Sequence, residues 1–185
     1  MKKIIPFLLL LICVEVRAVG IGMGTYVPSF ARYQDEVDGS KDHFQFNPYF
    51  SLTTYFPLFN EYFLAPEIGM AFHTGTEDEY SKRTMVFLWH GAYRFSERML
   101  LRFGVGTFWT RISGDGEEVQ LPDGSGTATF YAPTESSTSY TSSLDIGIEY
   151  VTGPQWGARA DVFLQRAFSG DRRTFAYLLS MVFVP

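Results

Sequence analysis

Seven charged side chains and one imidazole stand among apolar neighbours: Glu67, His90, Arg94, Arg102, Asp145, Glu149, Arg159 and Asp161. Such groups brought together can act as general acids and bases, form a proton or ion path, or neutralise one another. Their neighbours in sequence narrow the choice. Leu101 and Phe103 flank Arg102; Leu144 and Ile146 flank Asp145; Ile148 and Tyr150 flank Glu149. Successive side chains of a strand face opposite ways, so the charges share one face of a sheet and the apolar residues the other. An isolated ion away from water is costly, so the set reads as a salt-bridge network. Approximate hairpin register sets Glu67 against His90 and Arg102 against Glu149, with Arg94, Asp145, Arg159 and Asp161 near enough to join. No catalytic residue is assigned, because there is no His-x-Ser pair and no recognisable triad. His43 and His73 fall side by side at one rim but lack a third ligand. No metal and no cofactor is therefore expected.

The elements that must position these charges are strands. Alternation marks eight: 19–30, 43–56, 61–74, 83–95, 99–112, 139–151, 156–168 and 174–184. Each has the length of a tilted strand crossing a bilayer. Turns such as Ser96-Glu97-Arg98 and Thr152-Gly153-Pro154-Gln155 alternate with longer polar segments at 31–42, 75–82 and 113–138. A strand-like extension is expected within the last of these, at 127–131.

The sense of the alternation decides the environment. One phase carries Phe50, Leu52, Ile68, Met70, Phe87, Trp89, Phe103, Val105, Ile146 and Ile148, and its middle excludes charge. The other carries the ionisable set with Gly22, Gly69, Gly104 and Gly147. An eight-stranded barrel has an interior only wide enough for side chains to fill, so dozens of bulky apolar groups do not fit inside. A charge facing lipid at mid-depth costs about 2–4 kcal/mol, which accounts for the exclusion. The apolar phase therefore faces outward, in an all-β, eight-stranded antiparallel up-and-down transmembrane barrel. Tyr62, Tyr93, Tyr150, Trp156 and Phe183 fall near the short turns, and Trp109 and Tyr140 near the long loops. They make two aromatic girdles at the bilayer interfaces.

Residues 1–18 read as a cleaved signal peptide, leaving 19–185 as the barrel. Lys2 and Lys3 precede an apolar run from Ile4 to Val14, and Val16-Arg17-Ala18 offers the cut. The run is too short to span a bilayer. The one cysteine, Cys13, lies inside it, so disulfides do not hold the remainder together. The formal net charge is −5, without a basic patch, and nucleic acid is excluded as a partner.

The final strand, Phe175-x-Tyr177-x-Leu179-x-Met181-x-Phe183, resembles the C-terminal signal of small outer-membrane barrels. The chain as a whole is similar to the transmembrane domain of the outer membrane protein A family. The resemblance implies export to the outer membrane of a Gram-negative-type bacterium, with insertion by the barrel-assembly machinery and outer-membrane lipids and lipopolysaccharide as neighbours. The expected role is structural or surface-interacting, with segment 113–138 offered to an extracellular partner. The alternative is a barrel enzyme that modifies lipid A or a phospholipid by acyl transfer or deacylation. Pro48 and Pro66, each removing a ladder hydrogen bond from adjacent strands, are the feature in its favour.

Overall fold

The computed structural model describes residues 19–29, 33–34, 41–42, 44–74, 80–122, 127–131, 133–169 and 173–185. The expected signal peptide and its cut lie outside the described residues, as does His43. In chain order the strands are β1 (Val19–Val27), β2 (Tyr33–Gln34), β3 (Lys41–Asp42), β4 (Pro48–Thr54), β5 (Phe56–Phe59), β6 (Tyr62–Phe72), β7 (Tyr80–Ser96), β8 (Met99–Gly114), β9 (Glu118–Pro122), β10 (Thr127–Tyr131), β11 (Ser137–Val151), β12 (Trp156–Gln165) and β13 (Thr174–Phe183). The main sheet runs β4-β1-β13-β12-β11-β8-β7-β6-β5, and β4 also pairs with β6, which closes it. Strands β4 and β5 are one interrupted stave, so the wall is an eight-stranded antiparallel barrel. Closure leaves no open edge. Two small hairpins, β2 with β3 and β9 with β10, stand apart from the wall. The second contains the extension expected at 127–131.

The second stave ends later than its sequence suggests. Phe56–Phe59, of which the expected second strand includes only the first residue, is a strand paired with β6, with a bulge between Pro57 and Phe59. The turn shrinks to Asn60 and Glu61, and Asn60 takes the left-handed conformation (φ 47°) that asparagine tolerates and tight hairpins require. Between the two halves of the stave the ladder is missing from Thr53↔Glu67 to Phe56↔Leu64. Pro66 lies in this gap and has no N–H to give. The Thr53 hydroxyl donates to the Pro66 carbonyl at 3.3 Å instead.

Polarity is inverted relative to a water-soluble barrel. Along β11, Leu144, Ile146 and Ile148 are 39%, 57% and 38% exposed, while Asp145 and Glu149 between them are 8% and 5% exposed. The interior is layered. Toward the long-loop end, Tyr26, Tyr49, Val86, Leu88, Phe108, Phe163 and Leu178 form an apolar layer. Toward the short turns, Ala65, Ala92 and Leu100 form a smaller one. The charges lie between. Gly69 makes room for the stack: a Cβ there would sit 2.2–2.5 Å from the buried Tyr49 ring.

Candidate functional site

The charged layer is organised around two guanidiniums. Arg102, on β8, is fully buried. Its Nη2 donates to Glu67 Oε2 at 3.1 Å and to His90 Nδ1 at 2.7 Å, and its Nη1 donates to Glu149 Oε2 at 3.4 Å. Its Nε faces Asp161 Oδ1 at 3.4 Å. Arg159, on β12, donates from Nη1 to Glu67 Oε2 at 2.9 Å and from Nε to Glu149 Oε2 at 2.8 Å. Each glutamate thus bridges both arginines. Charge-assisted hydrogen bonds of this kind are the strong ones, and the fork of arginine fixes their geometry.

Two tyrosines complete the glutamates. Tyr49 donates to Glu67 Oε1 at 2.8 Å, and Tyr55 donates to Glu149 Oε2 at 2.7 Å. The Tyr55 hydroxyl also accepts from Arg159, whose guanidinium lies 5.7 Å from the Tyr55 ring centre. Sequence reasoning missed both hydroxyls. Their signal was parity: Tyr49, Ser51, Thr53 and Tyr55 share the inward phase, and Gly69, diagonal to Tyr49 across the ladder, leaves room for a large ring.

His90 carries a second branch. Arginine only donates, so His90 Nδ1 must accept, and the ring proton sits on Nε2. That nitrogen lies 2.5 Å from Asp145 Oδ2, although the contact lacks good hydrogen-bond angles. Among the described residues, Asp145 and Asp161 accept no hydrogen bond through either oxygen, in contrast to Glu67, which accepts through both, and to Glu149, whose Oε2 accepts three.

Seven of the eight residues named from the sequence meet in this layer. Arg94 does not. It is exposed at the short-turn end, with its guanidinium 4.9 Å from the Phe63 ring centre. The expected register also differs by two residues. His90 faces Ala65 and Glu67 faces Leu88; Arg102 faces Gly147 and Glu149 faces Leu100. Long connections join both strand pairs, and only a tight turn fixes register from the sequence. The charges nevertheless meet because the long arginine side chains reach diagonal neighbours.

The aromatic residues fall in two bands. Tyr62 and Tyr93 meet at a tilt across β6 and β7 at 4.8 Å, and Trp156 and Phe183 across β12 and β13 at 4.9 Å, with Tyr150 near the same end on β11. Trp109 and Tyr140 meet edge to face at 5.3 Å near the other end.

Comparison with solved structures finds the same closed sheet in an outer-membrane protein. Ail, the attachment invasion locus protein of Yersinia pestis, matches with TM-score 0.54 and 13% identity over 91% of this chain and 97% of that one. The fold is that of the small outer-membrane barrels. Neisserial surface protein A matches at TM-score 0.47 and 13% identity, over 90% of this chain and 94% of that one. The N-terminal β-barrel domain of Pseudomonas aeruginosa OprF matches at 0.46 and 11%, over 92% and 98%. No family model matches the sequence, and no curated protein does. At such identities the likeness is one of barrel architecture.

Proposed function

We propose that the chain is an outer-membrane barrel with a structural or surface-interaction role, its lumen closed by the charged layer and its long loops presented outward. The inverted polarity of β11 carries this reading: an exposed apolar face belongs against acyl chains, and paired ions belong in a narrow interior. Export by the signal peptide and insertion by the barrel-assembly machinery belong to the same reading, with outer-membrane lipids and lipopolysaccharide as its surroundings. The two aromatic bands act as girdles at the interfaces. Segment 113–138, which includes the β9–β10 hairpin, is the surface for an extracellular partner. The named role of Ail in attachment supports looking for one. A single cysteine introduced as Glu135→Cys tests the orientation. An impermeant maleimide labels it on intact cells if the loop faces outward, and labels it only after lysis if it does not. In a planar bilayer the purified protein conducts no steady current if the charged layer closes the lumen.

The ladder gap beside Pro66 favours a second reading, a barrel that modifies lipid A or a phospholipid after lateral entry. Mass spectrometry of lipid A from cells with and without the protein decides it. A change in acyl chains establishes the enzyme, and identical spectra remove the lipid A form of this reading.

A further inference from the structure

The long-loop end of the barrel opens on a cup that the reading above leaves unused. Its cavity is about 260 Å³. Tyr26 and Phe108, stacked at 5.6 Å, make its floor, and both are buried. A row of hydroxyls climbs one wall. Thr84 faces Thr110 across β7 and β8, and Thr110 faces Ser139 across β8 and β11, with Thr141 one step below. The strands on this side are the longest in the barrel, at 17, 16 and 15 residues, which raises the wall. Opposite, the Gln165 amide donates to the Tyr26 hydroxyl at 2.8 Å.

The charge of the cup is of one sign. Lys82 and Arg166 line it, and no aspartate or glutamate among the described residues does, in a chain where acidic residues outnumber lysine and arginine 20 to 15. Neither cation forms an ion pair with a described residue, whereas both lumen arginines do. Arg166 also holds the left-handed conformation (φ 54°), a region that asparagine or glycine would occupy at less cost. Its backbone is pinned there by the N–H of Arg166 donating to Ser142 O at 2.8 Å. Strain kept at a cavity rim is a pointer to function. His73 adds no charge at neutral pH. Burial and the nearby Lys82 push its pKa down to about 4, and its Nε2 is engaged with the Thr84 hydroxyl at 2.8 Å.

We propose that this cup binds a small hydroxylated anion of the sugar-phosphate class, with Lys82 and Arg166 on the phosphate and the hydroxyl row on the ring. Two cations without an ion pair among the described residues supply the phosphate contact. Threonine and serine hydroxyls donate and accept, which matches the hydroxyls of a sugar. The aromatic floor takes the apolar C–H face by dispersion. The volume lies just under the range of about 300–1,000 Å³ typical of small-molecule sites, which suits one ring and not a chain of them. The site gives the surface-interaction reading a ligand class and rests on it for access from outside.

The test uses the full chain purified in nanodiscs and titrated calorimetrically with glucose 6-phosphate, glucose and inorganic phosphate. Glucose 6-phosphate binds saturably, at least tenfold tighter than either of the others, and more weakly as salt rises. The double variant Lys82→Gln with Arg166→Gln loses at least tenfold while keeping the heat-modifiable mobility of a closed barrel. Thr110→Val, in the hydroxyl row, weakens glucose 6-phosphate but not inorganic phosphate. Absence of saturable binding overturns the proposal, as does equal binding by the double variant or by neutral glucose. Nanodiscs with and without lipopolysaccharide separate two sources of the same chemistry. Competition by the lipid assigns the cup to its phosphorylated sugars, and undisturbed binding assigns it to a soluble ligand. The Glu135→Cys labelling above reports orientation independently, so failure of the cup and failure of the outward reading are distinguishable.

Discussion

Two layers of one lumen fill similar cross-sections by different means. The layer around Arg102 and Arg159 uses ions, each glutamate bridging both guanidiniums and accepting a hydrogen bond from a tyrosine hydroxyl. The layer above it uses Phe108, Phe163, Leu88 and Leu178, with Phe108 and Phe163 edge to face at 5.2 Å. Apolar packing tolerates exchange as long as volume is kept. Ionic packing does not, because removal of one partner strands another charge in a dry interior. The difference lies in how much each layer specifies about its neighbours.

Introducing the same residue into each layer is the sharpest way to break this comparison. Arg102→Met leaves Asp161 without its cation and Glu67 and Glu149 with Arg159 alone, and is expected to cost about 3–5 kcal/mol of unfolding free energy in urea titrations of the reconstituted barrel. A loss below about 1 kcal/mol would mean the ions are not coupled as drawn. Next in size is an ion placed at similar depth on the other side of the wall. Ile146→Arg faces lipid without a partner and is expected to cost about 2–4 kcal/mol, read as reduced heat-modifiable barrel. Leu178→Met, in the apolar layer, is expected to cost less than about 1.5 kcal/mol by the same urea titration. A separate, pH-dependent effect concerns His73, at the rim above that layer. Its pKa falls from 6.5 in the unfolded chain to about 4 in the folded one. The unfolded state therefore takes up the proton first, and stability present above pH 6.5 drains away as pH falls toward 4. Urea midpoints measured across that window should flatten in His73→Asn.

The charged layer was partly legible from the sequence. Parity alone placed Glu67, His90, Arg102, Asp145, Glu149, Arg159 and Asp161 on the inner face, since a strand offers a side chain only two directions. Parity also placed Arg94 inward, but could not say that its position lies beyond the ionic layer, beside Phe63. Tyr49 and Tyr55 escaped notice because a tyrosine on a strand reads as bulk until a carboxylate is seen at its hydroxyl. Pairing of the long arginines depends on stagger between strands. That stagger is set by loops and by a break at Tyr55 and Pro66, neither of which has a period to read.

The order of residues determined by itself that this chain makes long strands, that they are greasy on one face, and that the charged face must be turned inward. These follow from local alternation and from the cost of an ion in hydrocarbon. Only the closed tertiary structure decided which ions share a partner, which histidine nitrogen carries the proton, and that Lys82, Arg166 and a row of hydroxyls meet above Phe108. Such meetings join residues more than a hundred positions apart, such as Tyr55 and Arg159, and only the register of a closed sheet brings them within reach.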